Sequence, residues 1–149
     1  AELRELVSER GLGDRVTFLG NLSRAELRDW YARTAILAFP TYHHEGLGRI
    51  IIEAQAMRVP VVAYATGGVP DGVIAGRTGF LIETGNLKDL VNKISRLLSE
   101  PQLRCKMGQA GRELVLRRFS LSAVAERHER FYLNLLSRGN PAANPVETR

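Results

Sequence analysis

The sequence predicts an α/β fold in which parallel strands are covered by helices on both faces. Three observations carry this prediction. Short apolar runs rich in β-branched residues recur along the chain, longer segments of helical period separate them, and the crossovers are long enough to return each strand parallel to the last. With 149 residues, 44% of them hydrophobic, the chain has apolar mass for one ordinary core. It contains no uninterrupted apolar run of about 18 residues, the length a membrane-spanning helix needs.

The expected elements follow in chain order. Val16–Leu19 reads as a strand closed by Gly20. In "SRAELRDWYARTA", Ser23 and Glu26 make a capping box, and Leu27, Trp30 and Tyr31 mark the buried face of the helix behind it. Ile36–Phe39 is a strand ended by Pro40, and Arg49–Met57 is the next helix. Val61–Tyr64, after Pro60, and Gly79–Ile82, before the turn at Gly85-Asn86, complete four strands. Three helical patterns follow, at 87–98, 102–118 and 121–136, broken at Pro101 and Ser120. Residues 138–149 carry no apolar period and read as a disordered tail, which leaves residues 1–137 as the folded portion.

The net charge of +5 is unevenly placed. From Pro101 to Arg138, Arg104, Lys106, Arg112, Arg117, Arg118, Arg127, Arg130 and Arg138 face only Glu113, Glu126 and Glu129. Such a basic helical tail is either a solvated face or a surface for an anionic partner, of which an anionic membrane is the one expected. Nucleic acid is not, because the stretch lacks interleaved stacking aromatics and matches no binding motif. The single cysteine, Cys105, forms no internal disulfide and fits a reducing compartment, so the expected location is cytoplasmic and peripheral at the membrane.

The chemistry concentrates in "FPTYHHEGLGRIIIEAQ". In a parallel sheet, ligands bind beyond the carboxyl ends of the strands, where this loop lies. Gly46 and Gly48 allow a tight bend and a close approach to a ligand. The helix that follows aims N–H groups and the positive end of its dipole at the loop, which suits a phosphate. Glu45 and Glu53 flank that position, and carboxylates accept hydrogen bonds from sugar hydroxyls. The ligand that fits is a diphosphate between two polyhydroxylated groups, a nucleotide sugar. A dinucleotide fingerprint would need glycine at Ile51 and an acid near Tyr64, and has neither. Adjacent His43 and His44 rarely converge on one ion, so no metal and no cofactor are expected.

"EGLGRIIIE" resembles the E-x7-E motif of retaining glycosyltransferases with the two-domain GT-B fold. The likeness continues through "EAQAMRVPVVAYATGGVPDGVIAGRTGFLI" and into "RFSLSAVAERHERFYLNLL", and so covers nearly all of residues 1–137. It implies a Rossmann-like parallel sheet flanked by helices, the C-terminal GT-B domain lacking its first two strands. By position, it implies that Glu45 meets hydroxyls of the transferred hexose as the catalytic contact. Gly46, Leu47 and Gly48 would offer backbone contacts to sugar and diphosphate, Glu53 would accept from the ribose, and Asn21 and Leu22 would lie near the base. Arg49 either adds positive potential near the phosphates or is a surface arginine. The sequence departs from the pattern at Arg58, where glycine is usual, and at Asp71, where glutamate is usual.

The resemblance also implies what lies outside this chain: two strands, a loop supplying an arginine and a lysine for the diphosphate, and an N-terminal acceptor domain. The expected activity is hexosyl transfer from a nucleotide-sugar donor, UDP favoured, to a glycan, lipid-linked or small-molecule acceptor, with this portion inactive alone. A non-catalytic remnant or regulatory module is the rival reading. Without its two neighbours, Val16–Leu19 is expected to lose its place in the sheet, whereas the region after Ala35 keeps the parallel order.

Overall fold

A computed structural model describes residues 2–44 and 46–139. The chain divides into two compact units, Ala1–Ala32 and Arg33–Arg149. The first carries α1 (Glu2–Glu9) and most of α2 (Arg24–Arg33). The α1 helix was not expected from the sequence. Its end is closed by Leu12 N–H donating to the Val7 carbonyl at 2.9 Å around Gly11 at φ 62°. The capping box of α2 is present: Ser23 N–H donates to Glu26 Oε2 at 2.8 Å, and Glu26 N–H donates to Ser23 Oγ at 3.3 Å. Bonding from the Ser23 side chain, then its backbone, holds the Glu26 carboxyl below its ordinary value. The box is therefore complete at neutral pH and is lost as acid protonates Glu26.

The expected strand at Val16–Leu19 is not one. The segment forms no ladder, and Arg4 covers the Phe18 ring from 4.5 Å. A strand is a pairing rather than a propensity, and no described strand pairs with this one. The sheet has three strands, β1 (Leu37–Phe39), β2 (Val61–Tyr64) and β3 (Gly79–Ile82), parallel and in sequence order. Leu37 lies opposite Val61, and Val61 opposite Gly79.

β2 is buried on both faces. Val61 and Ala63 pack with Ile51 of α3 (Arg49–Ala56) and with Val69 and Val73, in and after the short α4 (Val69–Gly72). Val62 and Tyr64 face the other way, onto Ile82, Leu90 and Leu97 of α5 (Leu87–Ser99) and Met107 of α6 (Pro101–Arg118). Each buried valine contributes roughly 1.5–3 kcal/mol relative to exposure. Asn86 caps α5, its side chain accepting from Asp89 N–H at 3.0 Å. Ser120 Oγ likewise accepts from Ala123 N–H at 3.2 Å where α7 (Leu121–Gly139) begins. Of the tail expected at 138–149, Arg138 and Gly139 are the last residues of α7, and 140–149 lie outside the described residues.

Three of the tail's arginines close the carboxyl ends of other helices. Arg104 donates to the Leu97 carbonyl of α5 at 2.8 Å, Arg112 to Ala56 of α3, and Arg127 to Arg118 of α6 at 2.8 Å. Part of the basic surplus is thus structural.

The chain leaves α3 through Arg58, the one non-glycine residue in the left-handed region among those described, at φ 62°. Arg58 N–H donates to the Gln55 carbonyl and Val59 N–H to the Ala54 carbonyl, both at 2.9 Å, which is the Schellman closure. The Arg58 side chain is exposed, so the departure from glycine strains backbone and does not crowd β2. Directly opposite, a Cβ on Gly108 would stand 2.1 Å from the Arg58 carbonyl oxygen. Arg58→Gly is therefore expected to stabilise the chain by about 1 kcal/mol, relief of left-handed strain exceeding the entropy of the added glycine. Gly108→Ala is expected to cost roughly 1–3 kcal/mol through forced separation of α3 and α6. Urea unfolding of the two variants checks both signs.

Candidate functional site

The carboxyl ends of β1, β2 and β3 release three loops on one edge of the sheet. The first, residues 40–48, runs from β1 into α3 and holds Gly46, Leu47 and Gly48 of the expected site. Gly48 is the N-cap of α3, at φ 70° and ψ 83°, and among the described residues no side chain caps the helix. Left-handed backbone requires glycine here, and a Cβ would also press on Ile51 Cδ1 at 3.1 Å. The positive end of α3 therefore opens onto the loop.

Gly46 plays a different part from the one its sequence position suggests. Nothing lies within 4 Å of where its Cβ would be, so that side is open to a ligand. Its carbonyl, however, faces Gly68 of the loop after β2: a Cβ on Gly68 would stand 2.6 Å from the Gly46 oxygen. The glycine that the close approach demands is Gly68, which lies in the quoted G-G-V-P turn but was given no site role from the sequence. Leu47 packs its Cδ1 and its carbonyl against Gly72 at the end of α4. Gln55 of α3, fully buried, ties the two together by donating to the Gly72 carbonyl at 2.7 Å.

Arg49 and Glu53, both expected at the site, are brought together as an i, i+4 ion pair, Nη2 to Oε1, at 3.6 Å. The Arg49 side chain is 85% exposed and that of Glu53 40%, so the pair is worth roughly 0.3–0.5 kcal/mol. A ligand hydroxyl can displace so weak a partner. Glu45, the expected catalytic contact, lies outside the described residues. Asn21 and Leu22 belong to the first unit, just ahead of α2, with Asn21 exposed and Leu22 half-buried.

Other residues shape the site without having announced themselves in the sequence. Thr66, after β2, is buried, and its hydroxyl lies 3.3 Å from the His43 carbonyl and 3.5 Å from that of Thr41. Tyr64 closes β2 with its ring set edge-on to Tyr42, centroids 5.4 Å apart. Burial, and then the hydrogen bond with Tyr42, push the Tyr64 phenol up, so it stays a neutral packing group. Among the described residues no three His, Cys, Asp or Glu side chains converge on a position for a metal ion. A groove of about 490 Å³ opens at the other end of β3, between the Gly76–Arg77 turn and α6, and shares no residue with this loop.

A parallel sheet with this glycine loop at its carboxyl edge, feeding a helix that carries an acid in its second turn, defines the carboxyl-terminal portion of a GT-B glycosyltransferase. The profile of the family described as glycosyl transferases group 1 matches residues 1–114, and the chain belongs to that family. It is 38% identical over 107 residues to the capsular polysaccharide biosynthesis glycosyltransferase CapM of Staphylococcus aureus, covering 72% of this chain and 28% of that protein. The sucrose-phosphate synthase of Thermosynechococcus elongatus matches with a TM-score of 0.81 and 35% identity, over 93% of this chain and 34% of that one. HepE of Anabaena, solved in complex with UDP, matches with a TM-score of 0.81 and 28% identity, over 89% of this chain and 36% of that one. The chain thus spans about a third or less of each of these proteins.

The Gly68 contact and the open Gly46 make opposite expectations for one added methyl. Gly68→Ala should move the amide resonances of Gly46, Leu47 and Gly48 while leaving those of Val62 and Phe80 in place. Gly46→Ala should change unfolding free energy by less than about 0.5 kcal/mol, the range of surface substitutions. Two-dimensional amide spectra and urea titrations of the pair check both.

Proposed function

We propose that this chain binds the nucleotide-sugar donor within a retaining glycosyltransferase that moves a hexose to a glycan, lipid-linked or small-molecule acceptor. One observation carries the reading: the uncapped amino end of α3, opening beside a bare Gly46 on the carboxyl edge of the sheet. In this reading the helix dipole and the Gly46–Gly48 backbone hold the diphosphate. Glu53 exchanges its weak partner Arg49 for the ribose hydroxyls, and Arg49 is released toward the phosphates. Glu45 holds hydroxyls of the hexose. The UDP bound by HepE supports UDP as the nucleotide. Dipole and backbone position the leaving diphosphate, and the arginine and lysine that the resemblance puts outside this chain neutralise it, so no metal is required. The acceptor is bound by an amino-terminal domain outside this chain, and turnover by this portion alone is not expected.

Thermal unfolding of the chain with UDP, GDP and ADP sugars tests the donor reading. Ligand at a hundredfold excess over its Kd stabilises by about 2.7 kcal/mol, so a midpoint that rises with a UDP sugar is expected. A remnant that keeps the fold without a donor gives no shift with any of the three. In the complete enzyme, Glu53→Ala should weaken donor binding by about 1.5–3 kcal/mol, the worth of a hydrogen bond to a charged acceptor. Glu45→Ala should lower turnover more than affinity, since its partner is the sugar undergoing reaction. Small and equal effects would remove both roles.

The location proposed is cytoplasmic, with the tail helices at an anionic bilayer. Beside the arginines that close helices, Lys106, Arg117, Arg118 and Arg130 are exposed. They share α6 and α7 with exposed Leu116, Leu121, Phe131, Tyr132 and Leu136, a composition suited to an interfacial helix. Sedimentation with vesicles should show binding that needs anionic lipid and weakens at high salt. Binding indifferent to lipid charge would remove the idea.

A further inference from the structure

We propose that Thr66 is a positioning residue that fixes the site loop for the donor, an inference that rests on the donor-binding reading above. Its own backbone is committed elsewhere: Thr66 N–H donates to the Tyr64 carbonyl at 2.9 Å, and its carbonyl accepts from Val69 N–H at 3.0 Å. Only the side chain reaches out of the connection between β2 and α4. It is 8% exposed, and the two carbonyls its hydroxyl meets, those of His43 and Thr41, both belong to the loop leaving β1. The loop in turn folds onto itself there, His43 N–H donating to Thr41 Oγ1 at 3.2 Å. Two further contacts run between the same segments, the ring of Tyr64 against Tyr42 and Gly68 under the Gly46 carbonyl.

These contacts differ in what they can do. The edge-on rings attract, and the Tyr64 and Tyr42 phenols are hydrogen-bonded. The Thr66 hydroxyl adds a directional restraint of its own, on two carbonyls of the loop. A loop that opened would carry Gly46 and Leu47 away from Gly48 at the amino end of α3, and the backbone groups meant for a diphosphate would no longer converge. Thr66 touches no ligand in this account and acts through the loop alone.

Thr66→Val keeps the shape and removes the hydroxyl, and Thr66→Ser keeps the hydroxyl and removes the methyl. Backbone amide relaxation of residues 43–48 in the ligand-free chain is the first readout. Order parameters near about 0.85 are expected in the parent and in Thr66→Ser, and below about 0.6 in Thr66→Val, with β2 rigid in all three. The second readout is titration with UDP, where Thr66→Val should weaken binding about tenfold and Thr66→Ser should restore it, as one hydrogen bond predicts. A loop equally ordered in Thr66→Val, or order lost equally through β2, overturns the proposal, as does unchanged UDP affinity in that variant. Should the parent bind no UDP, the donor reading fails, and relaxation alone still decides whether Thr66 holds the loop.

Discussion

Everything on the carboxyl edge depends on β2 being enclosed on both sides. Val61 and Ala63 hold α3 and α4 against one face, and Val62 and Tyr64 hold α5 and α6 against the other. Four residues thereby fix the relative heights of the two helical layers. The loop from β1 into α3 is suspended between them, hung at one end from a strand paired with β2 and at the other from a helix packed on it. Because protein interiors are close-packed, a displacement of β2 is transmitted to the loop.

The basic character of the carboxyl-terminal helices looks in sequence like a surface for a partner, but the fold gives part of it another use. Arg104, Arg112 and Arg127 each carry a guanidinium to the last carbonyls of another helix. A helix end buried without such a donor would leave acceptors unsatisfied. α6 thus both closes α3 and α5 and is closed from α7, so charge and architecture in this region cannot be varied independently.

Much of the fold was legible because it is written in local patterns. The strands of Val61–Tyr64 and Gly79–Ile82 are short β-branched or aromatic runs between turn signals, and the capping box at Ser23 stands where a helix must start; the turn at Asn86 and the break at Ser120 are the caps of the helices behind them. Val16–Leu19 has the same composition and is no strand, because pairing is decided by neighbours and not by residues. The expected site divides along the same line. Gly48, Arg49 and Glu53 share one helix start, so spacing alone places them. Gly68, Thr66 and Gln55 act across distances of many residues, and only the folded chain shows what they meet. The sequence also marks Arg58 as standing where glycine is usual, but not what the departure costs. The strain is in φ, a quantity that no composition displays.

The approach of Gly68 to the Gly46 carbonyl is made by backbone on both sides. A contact of that kind does not depend on which side chains stand at 43 and 44. The loop's course and its chemistry are therefore separately adjustable: one is written in the glycines beneath it, the other in the residues it displays. A scaffold with that separation can exchange one ligand preference for another by substitution at the displayed positions, without first solving the folding problem again.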